Sequence, residues 1–116
     1  MKLYQYSKCS TCRKAVKFLT EKNIEFASLD ITEQPPTVDE LNAMLASYDG
    51  EIRKLFNTSG VQYRELNMKE KLPTMSAEDA LELLSGNGKL IKRPFLLNNA
   101  GQGIVGFKEV DWNEFI

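Results

Sequence analysis

Histidine is missing from all 116 residues of this chain. That excludes Cys–His nucleophile pairs, Ser–His–Asp triads and every zinc site that needs imidazole. Cysteine is almost as scarce, with Cys9 and Cys12 only. Two thiols make no disulfide framework, and a Cys-x-x-Cys zinc site would lack its other two thiols, so no metal site is expected. No apolar run approaches the roughly 20 residues of a membrane helix, and no signal peptide opens the chain. A cytoplasmic protein without membrane contact is expected, in a compartment where thiols stay reduced. Charge excess is absent too: 15 basic and 16 acidic residues leave a net charge of -1. Direct nucleic-acid binding is therefore not expected, although a local basic patch stays open. There is no internal repeat, low-complexity stretch or linker. What is present, 42% hydrophobic residues, suffices for one domain spanning residues 1–116 with a core of its own.

Lys2–Tyr6 reads as a short first strand. From Ser10 to Asn23, Cys12, Ala15, Val16 and Leu19 recur at helical spacing, with Lys14, Lys17 and Glu21 opposite. Ile24–Ile31 returns to a period near two. Strand, helix, strand in about 30 residues is a βαβ unit with parallel strands and a right-handed crossover. After Gln34-Pro35-Pro36, the capping-box pattern Thr37-Val38-Asp39-Glu40 opens a second helix that stops at Asp49-Gly50. Glu51–Phe56 is a short helical piece. Residues 61–75 are mixed and polar and are given no single element, tacked to the core by Val61, Tyr63, Leu66 and Leu72. Ser76 starts another helix that ends at Gly86-Asn87-Gly88. Pro94–Leu97 and Ile104–Phe107 form a hairpin across a turn-rich loop. A last helix over Lys108–Ile116 is anchored by Val110 and Phe115, with Trp112 at its rim. The fold class is α/β: a four-stranded mixed sheet, βαβ…ββα, built from residues 1–31 and 89–116, with a helical insertion over 32–88.

The two cysteines carry the chemistry. The thiolate is the reactive form, and a helix N-terminus or nearby cations lower a thiol's pKa from about 8.5. Cys9 falls at or just before the first helical residue, where backbone N–H groups lack partners. Lys8 and Arg13 add positive potential. Cys12, one turn on and facing the core, is the more shielded thiol. Cys9 is the expected nucleophile and Cys12 the resolving thiol. The alternative, two small buried core residues, suits Cys12 alone better than Cys9, which sits in a polar loop between Lys8 and Ser10.

Lys92-Arg93-Pro94 admits two interpretations. It is a solvated charge pair before a strand, or it lies across from the first helix and brings Arg93 to Cys9, where its planar fork holds an anion or thiolate. Asn57-Thr58-Ser59-Gly60 is a turn, or a cradle for an anion. Together Lys8, Ser10, Thr11, Arg13, Asn57 and Pro94 complete the candidate anion-binding set around Cys9, Cys12 and Arg93.

Strand-loop-Cys9-helix, Gln34-Pro35-Pro36, Phe56–Gly60, Tyr63–Asn67, Leu90–Pro94 and Val105-Gly106-Phe107 together resemble the ArsC/Spx family, in particular its small YusI-type members. The resemblance implies a thioredoxin-like fold, a cis Pro94 and an active-site Arg93. One branch of that family reduces arsenate with a single cysteine, matched by Cys9, and glutathione with glutaredoxin completes the cycle. Of that branch's three oxyanion arginines, Arg93 is the one matched here; the other two fall near Asn57 and near Gly106-Phe107. The other branch, Spx, carries a CxxC redox switch and binds the C-terminal domain of the RNA polymerase α subunit; Gly50 falls near its polymerase-contacting glycine. Spx proteins also carry a charged C-terminal extension beyond the point that matches Ile116. The expected function is a thiol–disulfide oxidoreductase, arsenate reductase-like, with no bound cofactor and an external reductant: glutathione with glutaredoxin, or thioredoxin. The alternative is a redox-gated regulator with RNA polymerase as partner.

Overall fold

The computed structural model describes all 116 residues. Strand β1 (Lys2–Gln5) is central. It pairs in parallel with β2 (Ala27–Asp30) and antiparallel with β3 (Phe95–Leu97). The hairpin partner of β3 is β4 (Gly103–Val105). The order β2-β1-β3-β4 is the expected mixed sheet.

Alternation along β1 and β3 sends neighbouring side chains to opposite faces. Leu3 and Leu96 pack with Ala15, Phe18, Leu19 and Trp112 on one face. Those residues come from α1 (Ser10–Glu21) and α6 (Glu109–Phe115). Tyr4, Phe95 and Leu97 belong to the larger core on the other face. It is covered by α2 (Val38–Ser47) and α5 (Ala77–Ser85). Two shorter helices, α3 (Val61–Glu65) and α4 (Met68–Lys71), join the same side.

Several boundaries differ from the sequence-based expectation. Residues 61–75, given no single element by the sequence, form α3, α4 and a 3-10 turn at Leu72–Thr74. These pieces are too short to show a period. Val61 is 56% exposed at the first position of α3, while Tyr63, Leu66 and Leu72 pack on the core as expected and Met68 joins them. Strand β4 ends at Val105, because Gly106 turns the chain with φ 70 and donates its N–H to the Pro94 carbonyl at 2.9 Å. In α6 the expected pattern is reversed. Trp112 is fully buried and Val110 is 70% exposed. Helical spacing puts Trp112 and Phe115 on one face and leaves Val110 on the other. The Trp112 indole stacks edge-on against Phe18 and Phe107 and donates to the Gly106 carbonyl at 2.8 Å.

The capping box of α2 does more than start a helix. Glu40 accepts the Thr37 N–H at 3.0 Å while its own N–H donates to Thr37 Oγ1 at 3.1 Å. The same carboxylate accepts the Tyr4 hydroxyl at 2.7 Å and pairs with Lys2 at 3.1 Å, tying α2 to β1. Burial alone would push the Glu40 carboxyl up, but donors from Thr37, Tyr4 and Lys2 hold it below the usual range. Burial, reinforced by Glu40, raises the Tyr4 phenol. Glu40→Ala removes the box and strands the Tyr4 hydroxyl. We expect a loss of about 2–3 kcal/mol by urea unfolding, and a smaller loss for Glu40→Gln, which can still accept from Tyr4.

Candidate active site

The site is assembled where α1 begins. Cys9 is the N-cap residue, with extended backbone at φ -98 and ψ 118. Its Sγ accepts the Cys12 N–H at 3.4 Å, taking the place a serine or aspartate oxygen holds in other caps. No acidic residue lies in the first turn to compete for the positive end of the helix. Cys9 is partly exposed and Cys12 is fully buried; both are free thiols.

Arg93 precedes a cis peptide bond to the buried Pro94. Its guanidinium lies beside Cys9 and over the Tyr6 ring, 5.3 Å from the centroid. Nε and Nη1 of Arg93 are buried and donate to no protein group. A buried donor without a partner costs roughly 1–3 kcal/mol, so this arrangement works against stability.

The two thiols are driven apart. For Cys9 the largest effect is burial, which opposes ionisation. Hydrogen bonds from the Cys12 side chain and backbone, together with Arg93, outweigh it and lower the pKa below that of a free thiol. Burial is also the largest effect on Cys12, and the neighbouring Cys9 adds to it. The Cys12 thiol is pushed up to about 12. Cys9 is therefore the more acidic of the two thiols.

A pocket of about 190 Å³ opens over Cys9. Thr11, Asn57 and Arg93 from the expected set line it, with Phe56, Thr58, Ser59 and Lys92. Lys8, Ser10 and Arg13 are exposed and do not line it. Arg13 instead donates to the Ser7 carbonyl at 2.9 Å and braces the loop before Cys9. Gly50 lies outside this pocket, in an adjoining groove that shares Phe56, Thr58 and Lys92 with it.

The far wall comes from a small antiparallel bridge between Phe56 and Ile91. Asn57 N–H donates to the Leu90 carbonyl at 2.7 Å, and Lys92 N–H to the Leu55 carbonyl at 2.8 Å. This clasp carries the Asn57–Ser59 turn to the mouth of the pocket. Lys92 crosses Gly106: a side chain at that glycine would meet Lys92 Cε at 3.1 Å. Sequence reasoning left Lys92, Phe56 and Tyr6 out of the site. Lys92 stood within the Lys92-Arg93-Pro94 candidate and Phe56 opened the Phe56–Gly60 motif, but neither was given a role, and nothing pointed to Tyr6.

Two thiols of unequal acidity at the start of the helix that follows β1, and a cis proline just before the neighbouring β3 of a four-stranded mixed sheet, define a thioredoxin-like thiol protein. The chain belongs to the ArsC family, whose model matches residues 4–115. The uncharacterized protein YusI of Bacillus subtilis is 50% identical over 111 residues, 96% of this chain and 93% of its own length. The global transcriptional regulator Spx of Enterococcus faecalis is 31% identical over 114 residues, 98% of this chain and 84% of its own. Among solved structures, that of a possible arsenate reductase from Streptococcus mutans superposes with TM-score 0.88 and 36% identity, covering 97% of this chain and 96% of its own. No helix is long and apolar enough to cross a membrane, and no group of three or more His, Cys, Asp or Glu residues is placed to hold a metal ion.

Proposed function

We propose that this chain is a thiol–disulfide oxidoreductase of the arsenate reductase-like type, with Cys9 as nucleophile and Cys12 as resolving thiol. The observation that carries this is the pairing of an N-capping, partly exposed sulfur with an arginine whose buried donors are unspent. The Cys9 thiolate attacks a substrate disulfide R–S–S–R′. A Cys9–S–S–R bond forms and R′–S⁻ leaves. Cys12 then loses its proton to the expelled thiolate and attacks Cys9 Sγ, releasing R–S⁻. The substrate has gained two electrons, and the Cys9–Cys12 disulfide is returned to dithiol by an external thiol, glutathione with glutaredoxin or thioredoxin. Arg93 and Lys92 favour an anionic substrate, a glutathione adduct or an oxyanion. The two further arginines of the family's arsenate-reducing branch fall near Asn57 and near Gly106-Phe107, where this chain has none, so a thiol adduct is preferred over arsenate. No bound cofactor enters this scheme.

The test is the rate of Cys9 alkylation by iodoacetamide against pH, with mass spectrometry after exposure to glutathione disulfide. Alkylation should rise with a midpoint below that of a free thiol, and Cys12→Ser should accumulate the Cys9–glutathione adduct. A Cys9 that reacts at pH 6 no faster than free glutathione, and no adduct, would sink the proposal. Repeating the assay with arsenate shows whether an oxyanion also serves.

A second reading is favoured by the Spx relative and by Gly50, which is exposed at the end of α2 with open space around it. Under it the chain binds, in a redox-dependent way, the C-terminal domain of the RNA polymerase α subunit. Pull-down of that domain by the reduced and the oxidised chain decides; capture in neither state removes this reading.

A further inference from the structure

We propose that Tyr6 is a positioning residue for Arg93, holding the guanidinium against Cys9 through its ring face. The inference rests on the oxidoreductase reading above and extends it to a residue outside the pocket lining. Arg93 has no carboxylate partner: the ion pairs of the chain are Lys2–Glu40, Lys17–Glu21 and Lys54–Glu51. Two of its three nitrogens are buried without a partner. A side chain this long needs something to fix its plane, since immobilising it costs rotamer entropy. The Tyr6 ring, 5.3 Å from the guanidinium carbon, is the contact that does so.

The choice of an aromatic over a carboxylate has a chemical consequence. A carboxylate would take up the N–H donors and cancel the positive field at Cys9. A ring face attracts the cation through its quadrupole and uses no N–H donor. The donors and the charge stay available to the thiolate and to a bound anion. Tyr6 is also tied to the nucleophile by its backbone, because its carbonyl accepts the Cys9 N–H at 3.0 Å. One residue thus touches both halves of the site, at the point where β1 runs into the Cys9 loop.

Full-length Tyr6→Leu, Tyr6→Met and Tyr6→Phe variants test this, each alone and in an Arg93→Gln background. The readout is the pH profile of Cys9 alkylation, with folding checked by circular dichroism. Tyr6→Leu and Tyr6→Met should move the profile to higher pH and slow alkylation at pH 6 by about three- to thirtyfold, the span that a partly desolvated cation–π contact corresponds to. Tyr6→Phe should restore the wild-type profile, since it keeps the ring. With Arg93→Gln, loss of the ring should add no further shift. Unshifted profiles in folded Tyr6→Leu or Tyr6→Met overturn the inference. So does a Tyr6→Phe profile as displaced as that of Tyr6→Leu, or a shift that persists without Arg93. A wild-type Cys9 that titrates like a free thiol instead removes the oxidoreductase reading itself.

Discussion

Cys9→Ser should lower disulfide reduction by roughly three orders of magnitude or more, because a serine hydroxyl stays protonated where the Cys9 sulfur ionises and no histidine is present to activate it. The fold should survive. Serine is a good N-cap, so its oxygen can take over the Cys12 N–H that Cys9 Sγ now accepts at 3.4 Å. Activity and stability therefore separate in this variant, which makes it informative. Turnover of a small mixed disulfide, coupled to an external thiol, reads the first quantity and urea unfolding reads the second. Retained turnover would mean that the chemistry lies elsewhere.

Comparing the two proteins across pH adds a signed prediction. The Cys9 pKa is lowered in the folded state, whereas in the unfolded chain it is near 8.5. Ionisation of Cys9 thus stabilises the fold fully above the unfolded value, and that contribution is lost as pH falls through the folded one. The stability of the wild type relative to Cys9→Ser should grow as pH rises and level off near pH 8.5–9. Cys12, raised to about 12, has the opposite sign. Its contribution is present below the unfolded value and is lost as pH rises from about 8.5 toward 12. Part of that shift comes from Cys9 and is absent in Cys9→Ser, so the comparison is read below about pH 8, where Cys12 is protonated in both the folded and the unfolded chain.

Gly88→Ala is expected to be the most damaging single-methyl change in the fold. A Cβ at Gly88 would sit 1.8 Å from the Ile31 carbonyl oxygen and 2.6 Å from its carbon. Both are backbone atoms of the segment leaving β2, so no rotamer change relieves the clash. Moving either chain disturbs a region where Ile31, Leu90 and Ile91 are all fully buried. Such overpacking against backbone should cost about 3–5 kcal/mol and lower Tm by more than about 10 °C. The harm should also reach the site. Gly88 opens the 3-10 turn Gly88–Leu90, and Leu90 and Lys92 make the clasp that sets the opposite wall of the pocket. Any folded Gly88→Ala protein should therefore show slower Cys9 alkylation as well. Gly50→Ala is the contrast: its Cβ meets nothing within 4 Å. The strain of a positive φ alone should cost about 1 kcal/mol. Differential scanning calorimetry of the two variants checks the ranking, and an equal loss in both would contradict it.

Much of this molecule is legible in the chain because the determining interactions are local. A Thr37–Glu40 capping box, the apolar stripe of α1 and the proline before β3 each lie within a few residues. The sulfur at the start of a helix is likewise a four-residue fact. Errors concentrated where local pattern carries too little information. In α6 seven residues are too few to decide whether Val110 or Trp112 faces inward, and packing against Phe18 and Phe107 settles it. In the stretch 61–75, two helices of five and four residues leave no period to detect.

The sequence by itself determined which thiol caps the first helix, and so which one is proposed as the nucleophile. Free-thiol acidity responds to nearby backbone N–H groups, and Cys9 receives that of Cys12 from its own helix, to which the fold adds Arg93. Tertiary structure decided the pocket. Arg93, the Asn57–Ser59 turn and the ring of Tyr6 lie up to 87 residues apart in number, and only the β1–β3 pairing and the Phe56–Ile91 bridge bring them to one sulfur. Such contacts leave no periodic trace, because each is a single meeting of two surfaces and no repeat along the chain encodes it.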